Sequence, residues 1–424
     1  MRKIVVLRPH EWLRDSFQAQ TSAAVVPQVL QLQRPGMRLL DEPAAPVPVT
    51  TPTREVTTPP GAPFSTPLGH NYMIVADIDS DTVAEQLVRD EVEVEGVYAD
   101  PEIAPCPVVC PGAAVGAVAD VRAHIDIAPV HAAGQLGQGV RIAIVDTGID
   151  GTRINVSGGL NMPGFPAPGM SPADHGTMVA FDALIAAPNS MILDYPLLRS
   201  VAGGGWIGFL SDGIRIFADL MVRILQVPGP MVVVNSWAMY NRVQDRPVGH
   251  PQNYSANPRH PFNQILGSLV GAGADVLFAA GNCGSTCPDG RCGIGDRGPG
   301  NSIHGANSHP DAYSVAGVTH AGDLLGYSSE GPGGLHAQKP DLAGTTHFLG
   351  SGVFPVDGGT SAACPVVAGV VAALRSKPSA RTLSPSALKQ AILLSAVQPP
   401  GFATGWNGQA GFGVVQAAAS HALV

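Results

Sequence analysis

A three-layer α/β fold, with a largely parallel sheet between two layers of helices, is predicted by three observations in this 424-residue chain. From residue 140 onward, short apolar runs alternate with longer segments of helical period, the pattern of a parallel sheet with helical crossovers. The runs at 140–145, 191–198, 231–235, 275–280 and 312–318 are short, branched and predominantly apolar, as strands buried on both faces are. Two of them lead into polar turns, Asp146-Thr147-Gly148 and Gly281-Asn282, at the carboxyl ends where open α/β sheets place their working groups.

The intervening helices are expected at 177–187, 210–225, 263–272, 362–375 and 386–395. Ahead of them lies a smaller α+β pattern, with a strand at 3–7, a helix at 11–20, a strand at 72–78, a helix at 81–89 and a strand at 96–100. Between its halves, eight of the 25 residues at 43–67 are proline and six are threonine. Such a segment buries too little apolar surface to order itself, so it is expected to be an extended linker or insertion. The organisation expected is an N-terminal segment at 1–34, a Pro/Thr-rich linker at 35–69, an α+β segment at 70–104, a junction at 105–122 and the main domain at 123–424.

Composition narrows the function. Charged residues make up 13% of the chain, about half the usual ~25%. A formal charge of −9 with no Lys/Arg cluster argues against a nucleic-acid partner. No run reaches the roughly 18 apolar residues needed to span a bilayer. At the N-terminus only Ile4 to Leu7 separate basic residues, too short for the core of a signal peptide. A cytoplasmic location is expected, unless a non-standard export route operates.

The chemistry is carried by four short motifs. Gly359-Thr360-Ser361 places a serine at a tight turn opening into an apolar helix, where the helix field favours negative charge. A serine hydroxyl needs a base to become a nucleophile, and His175 in His175-Gly176-Thr177 can serve. Asp146, closing the strand at 140–145, can orient that imidazole. Asn282 in Phe278-Ala279-Ala280-Gly281-Asn282 offers a side-chain amide to a developing oxyanion. The order Asp, His, Ser, together with the Asn motif, resembles the subtilisin-like serine peptidases from residue 123 to the C-terminus.

That resemblance implies a serine endopeptidase with Asp146, His175 and Ser361 as its triad and Asn282 in its oxyanion hole. It implies a subtilisin-like architecture preceded by a small propeptide-like domain, a moiety that Gly96-Val97-Tyr98-Ala99-Asp100-Pro101-Glu102 matches best. The chain is therefore expected to be made as a zymogen, its N-terminal segment acting as intramolecular inhibitor and chaperone, with self-cleavage between Glu102 and Val121. Ser236-Trp237-Ala238 stands where the family has Ser-Leu-Gly and is expected to pair with extended protein or peptide substrate. Trp206 and Ile207 are expected on the opposite rim. No cofactor is required; calcium sites are common among relatives, but no ligand cluster here can be assigned.

Several positions depart from the family pattern. Met178 and Phe181 replace a histidine and a glycine after His175, and Cys364 and Val366 replace a serine and a histidine after Ser361. Cys364 is expected to be a small buried thiol. For Cys283, Cys287 and Cys292, free thiols, a Cys287–Cys292 disulfide and a metal site all remain open, and the state of Cys106 and Cys110 is not assigned. The competing function is a catalytically silent binding or scaffold protein on the same fold.

Overall fold

The computed structural model describes residues 1–8, 32, 34–40, 47–49, 71–107, 112–202 and 204–424. The helix expected at 11–20 lies outside them.

The N-terminal region forms an antiparallel sheet of β1 (Arg2–Leu7), β2 (Met37–Leu39), β3 (Val47–Val49), β4 (Asn71–Ile78) and β5 (Val94–Ala99). Its path is β2-β4-β1-β5, with β3 also on β4. Helix α1 (Asp81–Asp90) covers one face, started by the Ser80 side chain accepting from the Val83 amide. Ala84 and Leu87 of α1 pack there with Val5, Leu7 and Ile74. Two short strands therefore lie within the 35–69 stretch expected to be a linker: pairing with the edge of β4 orders Met37–Leu39 and Val47–Val49 despite the proline content around them.

The main domain is built on a seven-stranded parallel sheet. In chain order its strands are β7 (Arg141–Asp146), β8 (Val156–Gly159), β9 (Met191–Pro196), β12 (Met231–Asn235), β14 (Ala274–Ala279), β15 (Tyr313–Val318) and β16 (Leu342–Thr345). Across the sheet they run β16-β15-β14-β12-β7-β9-β8. Alternate residues along each strand feed two separate cores. Ile142, Ile144, Val232, Val234 and Leu277 pack with helices α4 (His175–Ala186) and α7 (Thr360–Arg375). Ala143, Val145, Val233, Val276 and Phe278 pack with α5 (Leu210–Gln226) and α6 (Pro261–Gly271). The three-layer expectation holds. Shorter helices α2 (Val118–His124), α3 (Ala128–Ala132), α8 (Pro385–Ser395) and α9 (Ala417–Leu423) complete the body.

The two regions share a core. Ile4, Val6, Val49 and Met73, on the sheet face away from α1, join the second core with Phe217 and Phe262. Polar contacts fix the join: Asp100 accepts from Arg2 Nε at 2.7 Å and from the Ser211 amide at 2.9 Å. Lys3 Nζ donates to Gln252 at 3.0 Å. Buried His260 Nε2 meets the Ala99 carbonyl at 2.9 Å. Among the described residues no helix is long and apolar enough to cross a membrane.

A third, small sheet carries the chain between the two regions. Strand β6 (Glu102–Pro105) lies between β11 (Trp206–Phe209) and β13 (Trp237–Ala238), antiparallel to both, with β10 (Arg199–Ser200) outside β11.

Candidate active site

Asp146 closes β7 and His175 opens α4, and the structure brings them into contact: Nδ1 of His175 lies 2.7 Å from Oδ1 of Asp146. The same oxygen accepts from the Thr147 amide at 2.7 Å. The Thr147 hydroxyl accepts from the Gly176 amide at 2.9 Å, fixing the start of α4. Gly176 permits this approach, since a side chain there would collide with the Gly148 carbonyl. Asp174 caps the helix through the His175 amide. Asp146 and His175 are both buried.

Ser361 stands in the first turn of α7, after Gly359 at φ 75°. A side chain at Gly359 would strike the Cys106 carbonyl, so glycine is required both for the backbone angle and for the approach of another chain segment. The Ser361 hydroxyl donates to the Ser236 carbonyl at 3.0 Å and accepts from the Cys106 amide at 3.1 Å. His175 Nε2 has no hydrogen-bond partner among the described residues. His175 and Asp146 are joined, while Ser361 is engaged by the segment lying across it.

That segment is the continuation of β6. Pro105 pairs with Trp237 and Ala104 with Ala238, and the Cys106 amide donates to the Ser236 carbonyl at 3.0 Å. The Ser361 amide donates to the Cys106 carbonyl at 3.3 Å. On the other side Ile103 pairs with Gly208 and Glu102 with Phe209. Asn282 Nδ2 donates to the next carbonyl, Pro107, at 2.5 Å. Its Oδ1 is held by the Thr360 amide at 3.0 Å and hydroxyl at 2.9 Å, which aims the NH₂ group into the cleft. A cavity of about 330 Å³ is lined by Pro107, Met178, Phe354, Pro355, Val356 and Gly358.

The candidate rim residues divide by role. Ser236 and Ala238 meet the strap, and Trp237 does so only through its backbone. Its indole is fully buried against Phe262 and Phe278, so it is a core side chain rather than a pocket wall. Trp206 and Ile207 are half-buried on β11, beside the residues that pair with Ile103 and Glu102. Cys364 is a buried free thiol, and burial raises its pKa.

The cysteine-rich loop resolves differently from the Cys287–Cys292 option. Cys283 pairs with Cys292, and Cys287 is disulfide-bonded as well. The turn 287–292 instead presents Arg291, whose Nη2 donates to the Pro105 carbonyl at 2.9 Å and whose guanidinium lies 4.1 Å from the centre of the Tyr240 ring. Tyr240 also donates to the Pro105 carbonyl, at 2.8 Å. Arg291, Tyr240 and the strap residues Cys106 and Pro107 were invisible to motif reading because each meets the site through the folded chain alone, and Thr360, inside the serine motif, had no role assigned to it. Among the described residues no group of three or more His, Cys, Asp and Glu could hold a metal ion.

An Asp–His pair at a strand end and helix start and a helix-initial serine, carried on a parallel αβα sandwich, define a subtilisin-like serine peptidase class. The chain belongs to the subtilase family, whose model matches residues 137–413. It is 26% identical over 262 residues to subtilisin of Bacillus pumilus, covering 58% of this chain and 81% of that protein. It is 27% identical over 258 residues to subtilisin amylosacchariticus of Bacillus subtilis subsp. amylosacchariticus, where the match spans 58% of each protein. The fold resembles that of fervidolysin from Fervidobacterium pennivorans, described as a keratinolytic enzyme related to subtilisin. That comparison has a TM-score of 0.61 and 15% identity, covering 99% of this chain and 60% of that one.

Proposed function

We propose that this chain is a serine endopeptidase with Ser361 as nucleophile, His175 as general base, Asp146 as its orienting acid and Asn282 as oxyanion donor, made in a self-inhibited form. The observation that carries the reading is the strap: Cys106, following the antiparallel pairing of Ala104 and Pro105 with Ala238 and Trp237, presents its carbonyl to the Ser361 amide.

In the reaction, His175 Nε2 takes the Ser361 proton as Oγ bonds to the substrate carbonyl carbon. The resulting oxyanion accepts from the Ser361 amide and Asn282 Nδ2. Collapse breaks the C–N bond, and the imidazolium protonates the leaving amine. Water then repeats the sequence on the acyl-enzyme and frees the serine. These side chains complete the proton and acyl transfers, so no cofactor enters the proposal.

Self-inhibition follows from the strap's own chemistry. The bond facing Ser361 is Cys106–Pro107, whose nitrogen carries no hydrogen, and Asn282 is held by the carbonyl one residue further on. The strap thus occupies the cleft as a poor substrate, and processing falls further along the 102–121 window. The disulfide-bonded cysteines fit an oxidising compartment better than the reducing cytoplasm expected from the N-terminus; fractionation of tagged protein tests this.

A fluorophosphonate probe tests the nucleophile. Processed wild-type protein should be labelled at Ser361 and yield two fragments on expression, whereas Ser361→Ala should stay unlabelled and intact. Processed protein that resists the probe would leave a catalytically silent scaffold as the better reading.

A further inference from the structure

The strap leaves one side chain, that of Cys106, in the position preceding the bond at Ser361. Whatever encloses that side chain sets what the cleft accepts there. Cys106 is 0% exposed. Its thiol meets the Tyr240 hydroxyl, with Arg291 and Asp289 behind it, and burial among them pushes its pKa up to about 12.

The enclosure is rigid. Cys283, the residue after Asn282, is tied to Cys292, the residue after Arg291. The Asp289 amide donates to the Asn282 carbonyl at 2.8 Å, and the Gly293 amide to the Tyr240 carbonyl at 3.0 Å. Asp289 takes two bonds from Arg291, at 3.0 and 2.6 Å, which neutralises the guanidinium and leaves it little pull on an acidic side chain. Tyr240, which meets the thiol, and Cys283 and Cys292, which share its buried cluster, are at most 5% exposed. The phenol donates to the Pro105 carbonyl, leaving its oxygen free to accept a hydrogen from the side chain in the pocket.

We infer that the pocket for the residue before the cut ends at Tyr240 and the Cys283–Cys292 bridge, and takes a short side chain ending in a hydroxyl or thiol, serine or cysteine, while excluding leucine and phenylalanine. The inference rests on the peptidase reading for its use in catalysis, but the fit itself is independent of turnover. A branched or aromatic side chain would need the bridge and the Tyr240 ring to move together, and a methyl group would leave the phenol oxygen without its donor.

Two measurements separate these levels. In a Ser361→Ala background, hydrogen exchange at the amides of residues 102–106 reports whether the strap is seated. Cys106→Ser should keep the protection of the parent, whereas Cys106→Leu and Cys106→Phe should raise exchange at least about tenfold. Tyr240→Ala should narrow the difference between Cys106→Ser and Cys106→Leu. Equal protection for serine and leucine would overturn the inference.

The second measurement expresses the full chain with Ser361 intact and uses the processed product, its active serines counted by fluorophosphonate. Peptides with serine before the cut should exceed their leucine and phenylalanine counterparts about 10²-fold in kcat/KM, the scale set by a hydrogen-bonding and shape-limited pocket. Labelled protein that cuts equally well after leucine overturns the pocket and leaves the peptidase. Unlabelled protein overturns the peptidase, and the exchange experiment still decides the pocket.

Discussion

Asn282 Nδ2 donates to the Pro107 carbonyl at 2.5 Å, while the Ser361 amide donates to the carbonyl of the preceding residue, Cys106, at 3.3 Å. Two donors proposed to serve one oxyanion are thus divided between neighbouring carbonyls. The strap is seated in register for backbone pairing but out of register for oxyanion stabilisation.

Removing the amide should therefore cost catalysis more than binding. Asn282→Ala should leave KM within a few-fold and lower kcat by about 10²–10³, a magnitude known from subtilisin itself. Steady-state kinetics on processed protein decide it, and an unchanged kcat removes Asn282 from the mechanism.

Thr360 should share part of that effect, because its amide and hydroxyl hold the Asn282 carbonyl oxygen. Thr360→Val keeps the volume and loses one of the two bonds. A fall in kcat of about tenfold at constant KM is expected, corresponding to roughly 1–1.5 kcal/mol for a neutral hydrogen bond. A changed KM with constant kcat would place Thr360 in substrate binding instead.

Pro107 should govern self-cleavage at the strap. Pro107→Ala restores an N–H to the leaving nitrogen, so the Cys106–Ala bond should be cut in wild-type background and remain intact with Ser361→Ala. Mass spectrometry of the freshly purified chain reads the new terminus. A strap that stays whole in the Pro107→Ala protein would show that register, rather than proline, protects it.

Asp182 should make stability fall as pH rises. It lies fully buried on α4, its two oxygens lack donors, and burial followed by the neighbouring Asp357 carboxylate raises its pKa well above 3.8. Asp357 is also raised, chiefly by burial, though Ser351 donates to it and Arg153 lies nearby. A raised acid binds more protons folded than unfolded, so its contribution is whole below the ordinary aspartate range and is lost as pH climbs through the raised value. Asp182→Asn should melt like the parent in acid and increasingly above it toward alkaline pH. Thermal melts across that range check this; parallel curves would refute it.

The Cys283–Cys292 bridge spans nine positions, a loop for which chain entropy supplies about 2–3 kcal/mol. Reduction should lower the unfolding midpoint accordingly. Non-reducing peptide mapping should recover Cys283 joined to Cys292 and free Cys106 and Cys364. Melting unaffected by reductant would mean the bridge does not form.

The parallel core was legible because its strands are buried on both faces, and a continuous apolar run as short as Met231–Asn235 suits a strand covered from both sides. The helix starts at His175 and Thr360 fell two residues before their expected positions, since capping by Asp174 and the turn at Gly359 act locally on residues a hydrophobic pattern ignores. Strands Met37–Leu39 and Val47–Val49 were hidden because pairing with β4, and not their own composition, orders them.

The amino-acid sequence alone determined the chain's layered architecture and its family, and supplied the motifs from which the proposed site is read, because burial period and short turn motifs are local properties. Only the folded chain decided that Trp237 is core, that Cys283 pairs with Cys292, and that Cys106 and Pro107 lie across Ser361. Those facts depend on segments up to 255 residues apart meeting in one cleft. Nothing in a local run of side chains encodes which distant backbone will be pressed against it.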